Sequence, residues 1–170
     1  MNLRNSAGGT LAAIVLGTVL VSVLGGCAPI VALQPAENAA SPGCAPVSVR
    51  LPDVIGDLQE RETNAQATGA WGDPVAVILH CGVAIPAPTA ELPCYTIDGV
   101  DWLVDPVDAP NYIFTTYGRE PAVSVVVDSE VASGRTVVEA LSSAVSWLPV
   151  NGRACISVED ADLLTDEDAG

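Results

Sequence analysis

Four cysteines spread over most of the chain place the strongest limit on how this sequence of 170 residues can fold. They are Cys44, Cys81, Cys94 and Cys155. No two of them form a Cys-x-x-Cys pair and the chain has one histidine, so the set lacks the ligand spacing of a zinc site. In an exported chain, an even number of cysteines predicts two disulfides instead.

Three pairings of these cysteines are possible. We favour Cys81–Cys94, which would join two neighbouring strands across a short proline-rich loop. The partner bond would then be Cys44–Cys155, which would tie the two ends of the domain together. On the chain-entropy model the two loops contribute roughly 3 and 4.7 kcal/mol, which is large beside a net stability of about 5–15 kcal/mol.

The first 27 residues have the order of an export signal. Arg4 precedes an apolar run from Leu11 to Leu24, and small residues then lead to Cys27. The run of about 14 residues is shorter than the ~20 that a spanning helix needs. Its ending resembles a bacterial lipoprotein signal, in which residues 1–26 are removed and Cys27 is lipidated. The alternatives are retention of the run as a membrane anchor and ordinary cleavage before Ala28, and all three export the domain.

This interpretation divides the rest of the chain into three parts. Residues 27–43 are the lipidated cysteine and an Ala- and Pro-rich tether, which would place the domain at the outer face of the cytoplasmic membrane. Residues 44–158 form a single domain, and their number is sufficient for a hydrophobic core. Residues 159–170 hold many acidic residues and are predicted to be a disordered tail.

The charge of the chain limits its partners. Beyond residue 26 there are 21 acidic residues, five arginines and no lysine, a net charge of −16. Nucleic acids and anionic lipids are bound through basic patches, so we expect no nucleic-acid partner and membrane attachment only through the lipid on Cys27. A P-loop and a Ser-x-x-Lys acyl-transfer site both need lysine, so the sequence excludes both. We predict no cofactor and no metal.

Hydrophobic patterning in the first half of the domain indicates mostly strands. The segment 47–50 is predicted to be extended, and residues 53–67 are consistent with a short helix. The continuous apolar run Val75–Cys81 predicts a central strand buried on both faces. Asp98-Gly99 between two β-prone runs predicts a type I′ hairpin.

The second half of the domain adds strands and then changes its period. Residues 112–117 and 122–128 are predicted strands, and apolar residues every three or four positions predict a helix over Val137–Trp147 with a capping box at Thr136–Glu139. A last short strand is expected at 154–158. The predicted fold is α+β, a small antiparallel sheet with one long helix packed on it, stapled by disulfides.

Four motifs then suggest a family. They are Trp71-Gly-Asp-Pro, Cys81-Gly-Val, Asp98-Gly-Val-Asp-Trp102 and Tyr117-Gly-Arg119-x-Pro121-Ala-Val. In this order, between about Cys44 and Cys155, they resemble a family of small actinobacterial exported proteins classed as a domain of unknown function. The resemblance implies an exported or membrane-attached envelope protein. That family commonly has Arg where this chain has His80.

Aromatic residues cluster in one part of the domain. Five of the seven lie within 23 positions, namely Tyr95, Trp102, Tyr112, Phe114 and Tyr117, and Arg119 follows them. Aromatic residues and arginine are enriched at binding hot spots. We therefore predict a recognition face for an envelope protein or cell-wall component, with Trp71, Trp102, Tyr117 and Arg119 as its candidates. The alternative is that the aromatic residues fill the core and that Arg119 pairs with an acidic residue.

The aromatic cluster and Arg119 favour a non-enzymatic binding or accessory module. Acidic residues near the predicted hairpin support a second hypothesis, a carboxylate-dependent hydrolase acting on cell-wall glycan or peptide. These residues are Asp98, Asp101, Asp105 and Asp108. The simpler interpretation is that Asp98 serves the turn and that Asp101 and Asp105 face water. His80 and Cys81 cannot act as a dyad on one strand, because successive side chains point to opposite faces.

Overall fold

An antiparallel sheet of eight strands with two helices on one face forms the structure, a computed structural model that describes residues 29–156. In chain order the elements are α1 (Cys44–Ser48), β1 (Val54–Ile55), β2 (Leu58–Arg61), β3 (Thr68–Trp71), β4 (Val77–Val83), β5 (Cys94–Ile97), β6 (Val100–Asp108), β7 (Asn111–Tyr117), β8 (Ala122–Asp128) and α2 (Gly134–Val145). The strand order is β1-β2-β3-β4-β8-β7-β6-β5. The predicted antiparallel α+β sheet is confirmed, but the longer helix has only 12 residues and a second, short helix accompanies it.

The sheet has an inner face under the helices and an outer face. On the central strands β4 and β8, every second residue is buried on the inner face, as in the pairs Val77↔Val127, Leu79↔Val125 and Cys81↔Val123. The predicted central strand is therefore present. It is not buried on both faces as predicted, because Ile78 and His80 on the outer face are only half-buried.

Helix α2 covers part of the inner face. It begins at Gly134 after the N-cap residue Ser133, so the predicted capping box at Thr136–Glu139 lies inside the helix instead of at its start. Gly134 rests on the ring of Phe114, where a Cβ atom would overlap the ring carbons. This close approach sets the position of the first helical turn. The residues that α2 buries include Val137, Val138, Leu141, Ala144 and Val145.

Two early predictions are wrong. The segment expected to be extended forms the end of helix α1, because Cys44 is bonded to β4 and Val47 is fully buried against the core. The expected helix over 53–67 is the hairpin β1–β2, joined by the two-residue turn Gly56-Asp57. Gly56 has φ +59°, which fits the first central position of a hairpin turn and which a non-glycine residue adopts only with strain.

The disulfides join Cys44 to Cys81 and Cys94 to Cys155, so the predicted pairing is wrong. The physical reason lies in the sheet order. Strands β4 and β5 follow each other in the chain, but β8, β7 and β6 separate them in the sheet. The proline-rich connection 84–93 therefore crosses the outer face, where Pro86 and Leu92 lie beside Leu103 and Ile113, and Cys81 cannot reach Cys94.

The described part of the predicted tether, residues 29–43, packs against the domain. Val31 forms a parallel bridge with Thr63, and the Asn38 N–H donates to the Gly82 carbonyl at 3.0 Å. Ala39 is buried, and the buried Arg61 donates to the Pro29 carbonyl at 2.9 Å. These contacts correct the prediction of a free tether from residue 29 onward and extend the folded domain ahead of Cys44.

The last described residues, 149–156, contain no strand of their own. Val150 makes an isolated antiparallel bridge with Arg119, and residues 154–156 of the predicted final strand are irregular. The remainder of that strand, the acidic tail 159–170, the signal 1–26 and Cys27 lie outside the described residues.

Gly82 provides a test of the packed N-terminal segment. Its φ is +90°, and a Cβ atom would overlap the Asn38 carbonyl group. Gly152 is the matched control, because its φ is +85° and its Cβ position is open. Gly152→Ala should cost about 1–2 kcal/mol through backbone strain alone, and Gly82→Ala should cost clearly more. Equal midpoints of urea unfolding for the two variants would show that residues 29–43 do not pack on β4.

Candidate functional site

Two of the four predicted recognition residues lie in the core. Trp71 and Trp102 are both 0% exposed, so neither can contact a partner. The indole N–H of Trp71 donates to the Pro52 carbonyl at 2.8 Å, and Trp102 pairs on the inner face with the buried Thr116. The prediction is wrong for these two, and the core alternative is correct.

The other two predicted residues do not complete a recognition face either. Tyr117 is half-buried on the outer face beside Asp101, on the side of the sheet opposite Trp102. Arg119 is half-buried, and its guanidinium donates to the carbonyls of Leu148 (2.8 Å), Ser146 (3.2 Å) and Gly99 (3.1 Å). It therefore clamps the residues that follow α2 to the β5–β6 turn and gives the carbonyls just after the helix a charged donor, instead of pairing with an acidic residue.

Each of the four sequence motifs lies at a turn or at a close contact between two segments. Asp98 and Gly99 both have positive φ, +48° and +74°, which confirms the predicted hairpin turn. Gly72 has φ +99° in the turn that follows Trp71, and Gly118 has φ +77° with a Cβ position that would overlap the Arg153 carbonyl. Cys81, which begins the remaining motif, is bonded to Cys44. The motif residues therefore serve the fold.

Asp101 and Asp105, two of the four acidic residues of the hydrolase hypothesis, do not form a close pair. Asp101 accepts a hydrogen bond from the Thr96 hydroxyl at 2.6 Å and from the Cys155 N–H at 2.8 Å. Asp105 accepts from the Val107 N–H at 2.9 Å. Asp101 and Asp105 are four residues apart on one strand, about 13 Å at the usual strand rise.

A carboxyl group with a raised pKa lies on β2, outside the predicted hairpin. Partial burial and, second, the nearby Asp53 carboxylate raise the pKa of Glu60. Glu60 lies on β2 near the sheet edge and remains largely exposed to solvent. No group of three His, Cys, Asp or Glu side chains within residues 29–156 could hold a metal ion.

A groove of about 520 Å³ on the inner face has the geometry of a ligand pocket. It lies beside the first turn of α2, over the part of the sheet that the helix leaves uncovered. We call it the aromatic groove, and its lining residues are Tyr95, Thr96, Ile97, Val104, Tyr112, Phe114, Val127, Ser129, Gly134 and Arg135. Its volume and its mostly apolar lining are typical of small-ligand sites.

Strand alternation assembles the floor of this groove. Tyr95 and Ile97 of β5, and Tyr112 and Phe114 of β7, alternate along their strands and all point to the inner face. Tyr95 is 55% exposed, unusual for so large a side chain on an apolar floor. Three members of the aromatic cluster found in the sequence thus meet here, but none of them was among the four predicted recognition residues.

The rim of the aromatic groove is polar. Ser129 is exposed there, and Arg135 forms an ion pair of 2.6 Å with Glu139 one helical turn further on. The phenol groups of Tyr95 and Tyr112 add hydroxyl donors. The groove can therefore enclose an apolar group and hydrogen-bond to polar atoms beside it.

Arg119 gives a test of the clamp. We expect Arg119→Ala to lower the free energy of unfolding by about 2 kcal/mol, because three carbonyl groups lose a charged donor. Arg119→Lys should recover only part of the loss, since one ammonium group cannot span the three carbonyls. Arg135→Ala, which removes an exposed arginine on α2, is the control and should cost under about 0.5 kcal/mol. A loss no larger for Arg119→Ala than for Arg135→Ala, measured by urea unfolding, would contradict the clamp.

Comparison with known proteins identifies the family of this chain. No curated protein and no solved structure matches it. No helix within residues 29–156 is long and apolar enough to cross a membrane. A family model described as a protein of unknown function, DUF3515, matches residues 10–151, which include the apolar N-terminal run and all the described strands and helices. The chain therefore belongs to the DUF3515 family, a domain of unknown function.

Proposed function

We propose that this chain is an exported, lipid-anchored accessory protein of the cell envelope that binds another envelope component through the aromatic groove. The groove replaces the recognition face predicted from the sequence, because two residues of that face are buried and Arg119 is a structural clamp. The observation that supports binding most strongly is the exposed Tyr95 beside an apolar floor in an otherwise well-covered inner face.

The proposed location rests on the N-terminal sequence and on the disulfides. The order of Arg4, an apolar run, small residues and Cys27 is that of a lipoprotein signal. Two disulfides are compatible with an oxidising, extracytoplasmic compartment. Beyond residue 26 the chain has 21 acidic residues, five arginines and no lysine, so electrostatic attraction to anionic lipids would add little and the lipid on Cys27 would supply the attachment.

The proposed anchor can be tested at Cys27. In the producing bacterium, the wild-type protein should incorporate labelled palmitate and sediment with membranes, and Cys27→Ser should incorporate no label. Ala28→Ser is the matched control, and we expect it to behave as the wild type. A wild-type protein that sediments with membranes but incorporates no label would instead mean that the run Leu11–Leu24 is retained as an anchor.

The aromatic groove can be tested by photo-crosslinking in intact cells. A benzoylphenylalanine at position 95 should give defined adducts, whereas the same group at Val107, 73% exposed and outside the groove, should not. Ser129→Trp places a bulky ring at the rim and should remove the adducts at position 95. Glu130→Trp is exposed at the neighbouring position outside the lining and should leave them unchanged.

The contrary results are equally specific. Adducts of similar yield at positions 95 and 107, or adducts at 95 that persist in Ser129→Trp, would show that the groove is not the binding site. Amine-reactive crosslinkers are unsuitable for this protein because the chain contains no lysine.

A further inference from the structure

The aromatic groove extends to an edge of the sheet. Strand β5 is last in the strand order, so no other strand of the described residues pairs with its outer side. Thr96 lines the groove although its hydroxyl donates to Asp101 on the outer face. The groove therefore reaches the backbone of the edge strand at Thr96.

The hairpin register determines which backbone groups on this edge lack a partner. The two-residue turn Asp98-Gly99 makes Ile97 and Val100 a hydrogen-bonded pair, and Tyr95 and Trp102 are the next such pair. The Val104 N–H donates to the Pro93 carbonyl at 3.0 Å, which continues the same alternation. The N–H and C=O groups of Thr96, and those of Cys94, consequently point away from β6.

An extended peptide matches this arrangement. Its backbone supplies a donor and an acceptor at every second residue, which is the spacing that Cys94 and Thr96 present. Side chains of the added strand would alternate between the two faces. A residue opposite Tyr95 or Ile97 would place its side chain on the inner face, at the aromatic groove.

Charge indicates the composition of that peptide. Exposed acidic residues lie just before and just after β5, at Glu91 and Asp98, and Asp101 lies beside Thr96 on the outer face. Arg135 is the one basic residue of the groove lining and is already paired with Glu139. Acidic groups at both ends of the edge strand favour lysine or arginine on the outward side chains of a partner.

We propose that β5 accepts a basic, extended peptide segment of an envelope partner as a ninth strand, with an apolar side chain of that segment in the aromatic groove. This inference rests on the proposed function and adds the chemical class of the partner. Thr96 is the residue whose backbone makes the central pairing.

The test uses the purified domain with its disulfides and a fluorescein-labelled seven-residue peptide of alternating lysine and apolar residues with phenylalanine at its centre. Thr96→Pro removes the outward N–H, and the β5–β6 pairing does not need that N–H. Thr96→Val retains the N–H and loses the hydroxyl, so it controls for the bond to Asp101. We expect Thr96→Pro to weaken peptide binding about tenfold or more and Thr96→Val to change it less than about twofold.

Two changes in the peptide keep the test independent of how the variants fold. Methylation of the amide nitrogens that face β5 should weaken binding by wild-type protein to a similar extent, because it removes donors without changing the side chains. Replacement of lysine by glutamate should abolish binding, and added salt should weaken binding of the lysine peptide. An unmethylated peptide that binds no better than its methylated form overturns strand addition.

Ser129→Trp separates this inference from the proposed function. Loss of peptide binding in Ser129→Trp, with full binding by Thr96→Pro and by the methylated peptide, would leave the groove as a site and overturn only the strand addition. Binding unchanged in both variants would overturn both proposals. A dimer that Thr96→Pro disperses, or peptide binding only after removal of residues 157–170, would assign the edge to a second copy or to the chain's own tail and overturn the inference.

Discussion

The rest of the structure depends on the junction between strand β4 and the segment that precedes the sheet. The Cys44–Cys81 disulfide fastens α1 to the inner face, and one residue later Gly82 allows the backbone of Asn38 to approach β4. A side chain at position 82 would separate the two segments. Through this junction α1 also packs beside α2, and the position of α2 decides which part of the inner face stays uncovered.

A second set of contacts fixes both ends of α2. Arg119 joins the carbonyls after the helix to the β5–β6 turn, and Asp101 with the Cys94–Cys155 disulfide holds the chain end against β5. At its start, the helix rests on Phe114 through Gly134. The aromatic groove lies beside a helix that is fixed at both ends, so the groove is preformed, and the proposed binding would cost it little conformational entropy.

Much of the sheet could be predicted from local patterns. The Asp98-Gly99 turn and strand β8 follow from residue type and alternation, because a two-residue turn and a short apolar run are decided by neighbouring residues. The disulfide pairing could not be predicted, because it depends on the crossover that places β5 at the far edge from β4. The hairpin at Gly56-Asp57 had a usable signal, a glycine at the first turn position, but a weak apolar pattern suggested a helix instead.

The candidate site was predicted in part. Aromatic clustering indicated the correct strands, but it could not distinguish Trp102 in the core from Tyr95 at the surface. Both point to the inner face, and their burial depends on the position of α2 and on which strand lies at the sheet edge. The sequence predicted that motif residues form the recognition face, but Trp71 packs in the core and Arg119 holds the residues that follow α2. Helix placement depends on tertiary packing, and the local periodicity of a single sequence does not determine it.

The sequence motifs build a scaffold that leaves the β5 edge open beside the aromatic groove. Amide hydrogen exchange of the free protein, measured residue by residue along β5, is the experiment that decides whether this edge is free. We expect slow exchange at Tyr95 and Ile97, whose N–H groups face β6, and fast exchange at Thr96, whose N–H faces outward. Protection of Thr96 equal to that of Tyr95 would show instead that the edge is already covered.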